Sequence, residues 1–87
     1  MSGTELDPEE LELLRAIALG ECNFRPAAGE SDMQWLRRVN RLRILQDAGL
    51  IRLREEVATS GERAGLTVLI GPCIVTDDGH RVLEGGA

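Results

Sequence analysis

Aromatic residues are almost missing from this sequence, which has no tyrosine and only Phe24 and Trp35 as large rings. A core must therefore be built from leucine, isoleucine, valine and alanine, which suits a few helices packed on a short sheet. Apolar residues make up 43% of the 87 residues, enough for one core without a metal or disulfide. We expect a single domain over 1–87, with frayed ends at 1–5 and 85–87.

Long apolar runs and export signals are missing as well. No stretch approaches the roughly 18 uninterrupted apolar residues that a membrane-spanning helix needs. The acidic segment 1–12 has neither the basic start nor the apolar stretch of a signal peptide. The two cysteines, Cys22 and Cys73, stand far apart and outside any CxxC pattern, so we expect them to be reduced and mostly buried. The expected location is the cytoplasm, with no membrane partner.

Positive charge is scarce overall but concentrated in one segment. The net charge of −5 argues against indiscriminate binding to nucleic acid. Residues 37–54 nevertheless contain six arginines and one aspartate, a net charge of +5, and acidic segments lie before and after them. This basic segment is where a partner contact is expected.

The first helix is predicted over residues 8–19. Asp7 is a suitable N-cap, and Glu10 is placed to complete a capping box with it. The connector that follows, residues 21–30, leaves room for one short turn at most. Phe24 is the expected anchor of that connector in the core.

A second helix is predicted from Ser31 or Asp32 to Ala48, with Gly49 ending it. The spacing of its apolar residues makes this helix amphipathic, with an arginine-rich side turned to solvent. Its apolar side comprises Trp35, Val39, Leu42 and Leu45.

After the second helix the hydrophobic period changes to that of strands. Residues 50–57 alternate in polarity, and residues 66–76 are rich in valine, isoleucine and threonine, so the two predict an antiparallel hairpin with a loop over 58–65. Proline cannot donate to a strand ladder, so Gly71-Pro72 is expected to mark a bulge, an edge or a bend.

A last short helix, capped by Thr76, is predicted through Glu84 with Val82 and Leu83 pointing inward. The order of helices followed by a hairpin and a short helix predicts the α+β fold class. The predicted core comprises Leu14, Ile17, Val39, Leu42, Leu45, Leu50 and Ile74.

Two stretches resemble bacterial winged-helix regulators. Residues 42–51 read Leu-Arg-Ile-Leu-Gln-Asp-Ala-Gly-Leu-Ile and resemble the end of a recognition helix and the first wing strand. Residues 74–83 read Ile-Val-Thr-Asp-Asp-Gly-His-Arg-Val-Leu and resemble the return strand and closing helix. The Gly-His pair and the chain length are also similar to a small phage- and bacteria-associated family of unknown function. The resemblance implies a winged helix-turn-helix domain, whose middle helix must lie in 21–30 or arise from a break near Arg37–Arg38.

That resemblance implies a binding domain, and a transcription regulator on double-stranded DNA is the first candidate. Arginine donates paired hydrogen bonds to guanine edges and phosphates, and asparagine can read adenine. The predicted DNA-binding residues are Arg37, Arg38, Asn40, Arg41 and Arg43 of the second helix and Arg63 of the wing loop. Glu55, Glu56 and Glu62 would repel a phosphate backbone from the same wing. A domain this small would require a homodimer on two half-sites.

The alternative is a protein-interaction domain whose acidity suits a basic protein partner. The strand 66–75 is strongly apolar and would offer a dimer or partner surface if one face were exposed. In that case the helix arginines would be paired with Glu9, Glu12 or Glu30.

An enzyme is not expected. His80, the only histidine, lies beside Asp77 and Asp78, and acids at the start of a helix explain that cluster more simply than a metal site does. The sequence contains neither a glycine-rich phosphate loop nor a nucleophile with a base at a suitable spacing. No cofactor and no metal are therefore expected.

Overall fold

A computed structural model describes residues 6–85, which form three helices and four short strands. The helices are α1 (Pro8–Ala18), α2 (Asp32–Asp47) and α3 (Asp77–Gly85). The strands are β1 (Ile51–Arg52), β2 (Glu55–Val57), β3 (Thr67–Ile70) and β4 (Ile74–Val75). The predicted α+β class is confirmed. The frayed ends predicted at 1–5 and 86–87 lie outside the described residues, whereas Gly85 belongs to α3.

Side-chain caps explain where α1 and α2 begin. The Asp7 backbone N–H donates to Glu10 Oε1 at 3.1 Å. The Ser31 backbone N–H donates to Gln34 Oε1 at 3.0 Å, and the Gln34 N–H donates back to Ser31 Oγ at 3.1 Å. These bonds satisfy N–H groups that the first turn of a helix leaves without partners. Both starts follow the signals in the sequence.

The connector between α1 and α2, residues 21–30, is not a middle helix. It contains a turn and a single bridge, in which the Phe24 N–H donates to the Ile70 carbonyl at 2.8 Å and the Ile70 N–H donates back at 2.9 Å. The connector therefore adds a short edge to β3. The Phe24 side chain is buried, as predicted.

α2 is one uninterrupted helix, without the predicted alternative of a break near Arg37–Arg38. It ends at Gly49, whose φ of +79° is a conformation that glycine adopts without strain. The Leu50 N–H then reaches back to the Leu45 carbonyl at 3.0 Å. Neither form of a helix-turn-helix expected from the sequence is present in residues 21–47.

The strands form two small antiparallel sheets, because β2 pairs with β3 and β1 pairs with β4. The predicted pairing of 50–57 with 66–76 is thereby confirmed. Strand pairing is interrupted at 53–54 in the first arm and at 71–73 in the second, and these interruptions divide one hairpin into two sheets. Pro72 lies in the second interruption, as expected of a residue that cannot donate to a strand ladder.

One core joins the helices to both sheets. Six of the seven predicted core residues are buried, namely Leu14, Ile17, Val39, Leu42, Leu45 and Leu50. The core also holds Phe24, Trp35, Ile51, Ile70 and Cys73. The prediction for Ile74 is wrong, since this side chain is 54% exposed. Ile74 pairs with exposed Arg52, whereas the adjacent pair of Ile51 and Val75 faces the core.

α3 packs close against the end of α2. Thr76 Oγ1 donates to the Gly49 carbonyl at 2.6 Å and accepts from the Gly79 N–H at 3.1 Å, so it caps α3 as predicted. Gly79 lies so near the Leu50 carbonyl that a Cβ atom at position 79 would overlap it. Val82 and Leu83 are partly buried against the core. Within residues 6–85, no helix combines the length and apolar character needed to cross a bilayer.

Candidate binding surface on helix α2

α2 carries most of the predicted site, and three of its arginines point toward neighbouring elements. Arg41 reaches the start of α1, where its guanidinium bonds to the carboxylate of Asp7, to Glu10 Oε2 at 3.2 Å and to Glu9 Oε1 at 3.2 Å. Glu10 is itself buried, with 6% of its surface exposed. The hydrogen bonds to Asp7 and then Glu10 raise the pKa of Arg41. This arginine joins two helices.

Arg38 is held by the connector. Its Nε and Nη2 donate to Glu30 Oε2 and Oε1 at 3.0 and 2.9 Å, and Nη2 also donates to the Arg25 carbonyl at 2.7 Å. The guanidinium lies 5.1 Å from the centroid of the Trp35 ring, within the range of a cation–π contact. The Arg38 hydrogen bond, and after it the backbone N–H of Ala27, lower the pKa of Glu30.

Arg43 and Arg63, which lies in the loop between β2 and β3, are paired in the same way. Arg43 Nε and Nη2 donate to Glu55 Oε2 and Oε1 at 2.9 and 2.7 Å, and the Thr67 hydroxyl donates to Glu55 Oε1 at 2.8 Å. The Arg43 hydrogen bonds are the main cause that lowers the pKa of Glu55. Arg63 Nη2 lies 3.0 Å from the Asp32 carboxylate at the start of α2.

Four of the five arginines predicted to contact DNA therefore face a carboxylate of the same chain: Arg38, Arg41, Arg43 and Arg63. Of the acids expected as partners, Glu9 and Glu30 take part, whereas Glu12 forms no ion pair within residues 6–85. Glu55 was not among the expected partners. Ile51 and Glu55 are four residues apart in the first arm of the hairpin, and the alternation of side chains along a strand turns both to the same face. This spacing was the signal that could have identified Glu55.

A different line of side chains on α2 faces solvent. It consists of Met33, Arg37, Asn40 and Ile44, which lie along one side of the helix at positions i, i+4, i+7 and i+11. Met33 is 77% exposed and Ile44 is 45% exposed, and both polar residues between them are exposed. Arg37 makes no ion pair with any carboxylate of residues 6–85. These four residues are called the outward line of α2 below.

A groove of about 540 Å³ runs beside the outward line, between α1 and α2. Glu9, Glu12 and Glu30 line it together with Arg37 and two of the paired arginines. Most charges in the groove are therefore balanced within the protein. Arg37 lines this groove and also belongs to the outward line.

The exposure, charge and spacing of the outward line are the features of this surface that bear on binding. The chain has no significant match among protein-family models, curated proteins or solved structures. The strongest chemical features are two exposed apolar side chains and one arginine without an internal counter-charge in the described part of the chain.

Proposed function

We propose that this chain is a binding domain of the winged-helix type that has no middle helix in residues 21–30, that it has no catalytic activity, and that it binds another protein through the outward line of α2. The order of elements and the antiparallel hairpin after the longest helix support the winged-helix type. The observation that carries the choice of partner is the pairing of Arg38, Arg41, Arg43 and Arg63 with internal carboxylates.

Internal pairing disfavours DNA for two reasons. Each carboxylate occupies the hydrogen-bonding edge of a guanidinium that would otherwise meet a phosphate. Each also puts negative charge where the phosphate would lie. An exposed pair such as Arg63–Asp32, with side chains 45% and 57% exposed, is weak and can open, but opening it leaves the carboxylate beside the arginine.

The chemistry of the outward line defines a protein partner. Met33 and Ile44 are eleven residues apart, or about 16 Å along the helix, with Arg37 and Asn40 between them. A complementary surface has apolar side chains at both ends and a carboxylate opposite Arg37. An amphipathic helix laid along α2 meets this description, because its own apolar residues recur at the same spacing. Since the chain carries a net charge of −5, the remainder of the partner is expected to be neutral or basic.

Titration of the domain against a labelled mixed-sequence duplex at low salt tests the choice between DNA and protein. We expect no binding by the parent chain. The triple variant Glu30→Gln/Asp32→Asn/Glu55→Gln releases three arginines, so it should gain weak binding that salt abolishes. Salt-sensitive binding by the parent that is lost in Arg37→Ala/Arg41→Ala would contradict the proposal.

Site-specific photo-crosslinking tests the protein partner directly. A photoreactive residue at Met33 should capture a protein in cells, and the same residue at exposed His80 on α3 should not. The captured protein is then purified and its affinity measured. Arg37→Glu should weaken binding at least about tenfold, whereas Arg15→Glu, at an exposed arginine on α1, should not. Equal losses in both variants would point to unspecific attraction and contradict a role for the outward line.

DNA binding is the second candidate function, and one observation favours it. Arg37 and Asn40 lie exposed and close together on one side of α2, and this pair of residue types can read guanine and adenine. Arg52 and Arg54 are exposed as well and could contact phosphates. The duplex titration decides whether these four residues suffice.

A further inference from the structure

Two cysteines that are far apart in the sequence meet in the fold. The Cys73 N–H donates to the Cys22 carbonyl at 2.8 Å, next to the bridge between Phe24 and Ile70. The segments approach so closely that a Cβ atom at Gly71 would stand 2.8 Å from the Cys22 carbonyl oxygen. The connector and the segment between β3 and β4 therefore hold the two cysteines side by side.

This backbone arrangement suits a disulfide. A backbone hydrogen bond from the Cys73 N–H to the Cys22 carbonyl holds these two residues next to each other. Disulfides usually join Cα atoms about 4.4–6.8 Å apart. Cys22 is exposed, and its Sγ accepts only a long hydrogen bond of 3.5 Å from Asn23 Nδ2, so its side chain can change rotamer easily. We expect bond formation to require reorientation of the exposed Cys22 side chain, because the backbones of the two segments are already in contact.

The two thiols differ in their access to solution. Cys22 is exposed, whereas Cys73 is only 3% exposed. Burial, reinforced by the charge of neighbouring Cys22, raises the pKa of Cys73 to about 11. A reagent in solution therefore meets Cys22 first. The Cys73 thiol is protonated at neutral pH, so it reacts slowly. Its reaction partner is a sulfur atom that the fold places next to it.

We propose that Cys22 is a modification site for low-molecular-weight disulfides of the glutathione disulfide class, and that Cys73 resolves the adduct into an intramolecular Cys22–Cys73 disulfide. In the first step the Cys22 thiolate attacks one sulfur of the reagent, its S–S bond breaks, and one thiol leaves after taking up a proton. In the second step the Cys73 thiolate attacks Cys22 Sγ and releases the second thiol. The two protein thiols lose two electrons and two protons, and one reagent disulfide becomes two thiols.

The disulfide would fasten the connector to the segment between β3 and β4. The loop that it closes contains α2 and the strands β1, β2 and β3, so it restricts the unfolded chain strongly. This proposal does not depend on the partner of the outward line, which lies on another part of the molecule.

A time course with glutathione disulfide tests the proposal on the reduced chain. Samples are blocked with N-ethylmaleimide and read by intact mass and peptide mapping. We expect a transient glutathionyl adduct on Cys22, followed by its loss and a Cys22–Cys73 disulfide. Near neutral pH, each added pH unit should speed the second step about tenfold, because the buried Cys73 thiol is mostly protonated there and its thiolate fraction rises tenfold. The disulfide form should melt at least about 5 °C above the reduced form.

Two variants assign the roles of the thiols. Cys73→Ala should stop at a persistent adduct, and Cys22→Ser should leave Cys73 unmodified while the chain is folded. Cys22→Ser changes an exposed residue, so the second test stands even if Cys73→Ala fails to fold. An adduct that persists in the parent chain, or disulfides that form only between chains, would overturn the proposal.

Discussion

The two sides of α2 contain the same types of residue, but the fold uses them differently. On the packed side the arginines are held by carboxylates, as Arg41 is held by Glu10. On the outward line, Arg37 stands between Met33 and Ile44 and has no such partner among residues 6–85. Charge counted along the sequence cannot distinguish the two sides. A basic segment becomes a basic surface only where the fold brings no counter-charge to it.

The largest expected difference between the two sides is in packing. Leu42→Ala removes a side chain with no exposed surface and should lower the free energy of unfolding by about 2–5 kcal/mol. Ile44 lies two residues after Leu42 and belongs to the outward line. Ile44→Ala should lower the free energy of unfolding by less than about 1 kcal/mol, because this side chain is already 45% exposed. Urea unfolding of both variants measures the difference. Equal losses would show that the outward line is also packed in solution.

A buried polar contact should give the next largest effect. The Trp35 Nε1–H donates to the Thr67 carbonyl at 2.7 Å and joins α2 to β3. Trp35→Phe keeps most of the apolar surface but leaves that carbonyl without its donor, so we expect a loss of about 1–3 kcal/mol in urea unfolding. A loss below about 0.5 kcal/mol would mean that a water molecule replaces the indole N–H as the donor to the Thr67 carbonyl. The packed side of α2 would then be more accessible to water than the structure indicates.

Acid should lower the free energy of unfolding by breaking ion pairs on the packed side of α2. Arg38 and Arg43 lower the pKa values of Glu30 and Glu55, whose ordinary value is 4.5. The unfolded chain then binds more protons than the folded chain as pH falls below about 4.5, so stability present above that pH is lost on acidification. Unfolding in urea at a series of pH values measures this. Glu55→Gln should flatten the decline, and Arg37→Ala should leave its shape unchanged.

The smallest expected effect on stability belongs to the outward line itself. Arg37→Ala should change the free energy of unfolding by no more than about 0.5 kcal/mol, since this exposed side chain has no ion pair within residues 6–85. Arg41→Ala should destabilise measurably, because it leaves the buried Glu10 carboxylate without its guanidinium. Thermal melts compare the two. If both variants have the melting temperature of the parent chain, the ion pairs of Arg41 do not contribute measurably to stability.

Local patterns predicted the elements well, because capping and periodicity act over a few residues. The capping residue Ser31 starts its helix as expected, and Trp35 lies in the core as its position on the apolar side indicated. Ile74 is exposed because the interruption of the second arm at 71–73 changes which residues after it face the core. The alternation of apolar residues within a strand does not reveal such an interruption. Cys22 was expected to be mostly buried, and it is exposed because the connector runs along the sheet edge.

The candidate site divides in the same way. The exposure of Arg37 and Asn40 follows from helical spacing alone. The partner of Arg43 does not, because Glu55 lies twelve residues away on a strand whose place beside α2 is set by the tertiary fold. Ion pairs across elements therefore decide which of the α2 arginines remain available to a partner, and a single sequence does not display these pairs.

The contact between α1 and α3 has a consequence for how the chain is made. α1 is synthesised before its partners, and it packs against α3 and β4 as well as α2, so residues 74–85 are made after every other element that it contacts. A nascent chain that has reached the hairpin must keep part of the apolar side of α1 uncovered. The domain is therefore expected to fold as a unit only after α3 has been synthesised, and a chain stalled before Thr76 should be a substrate for chaperones or proteases.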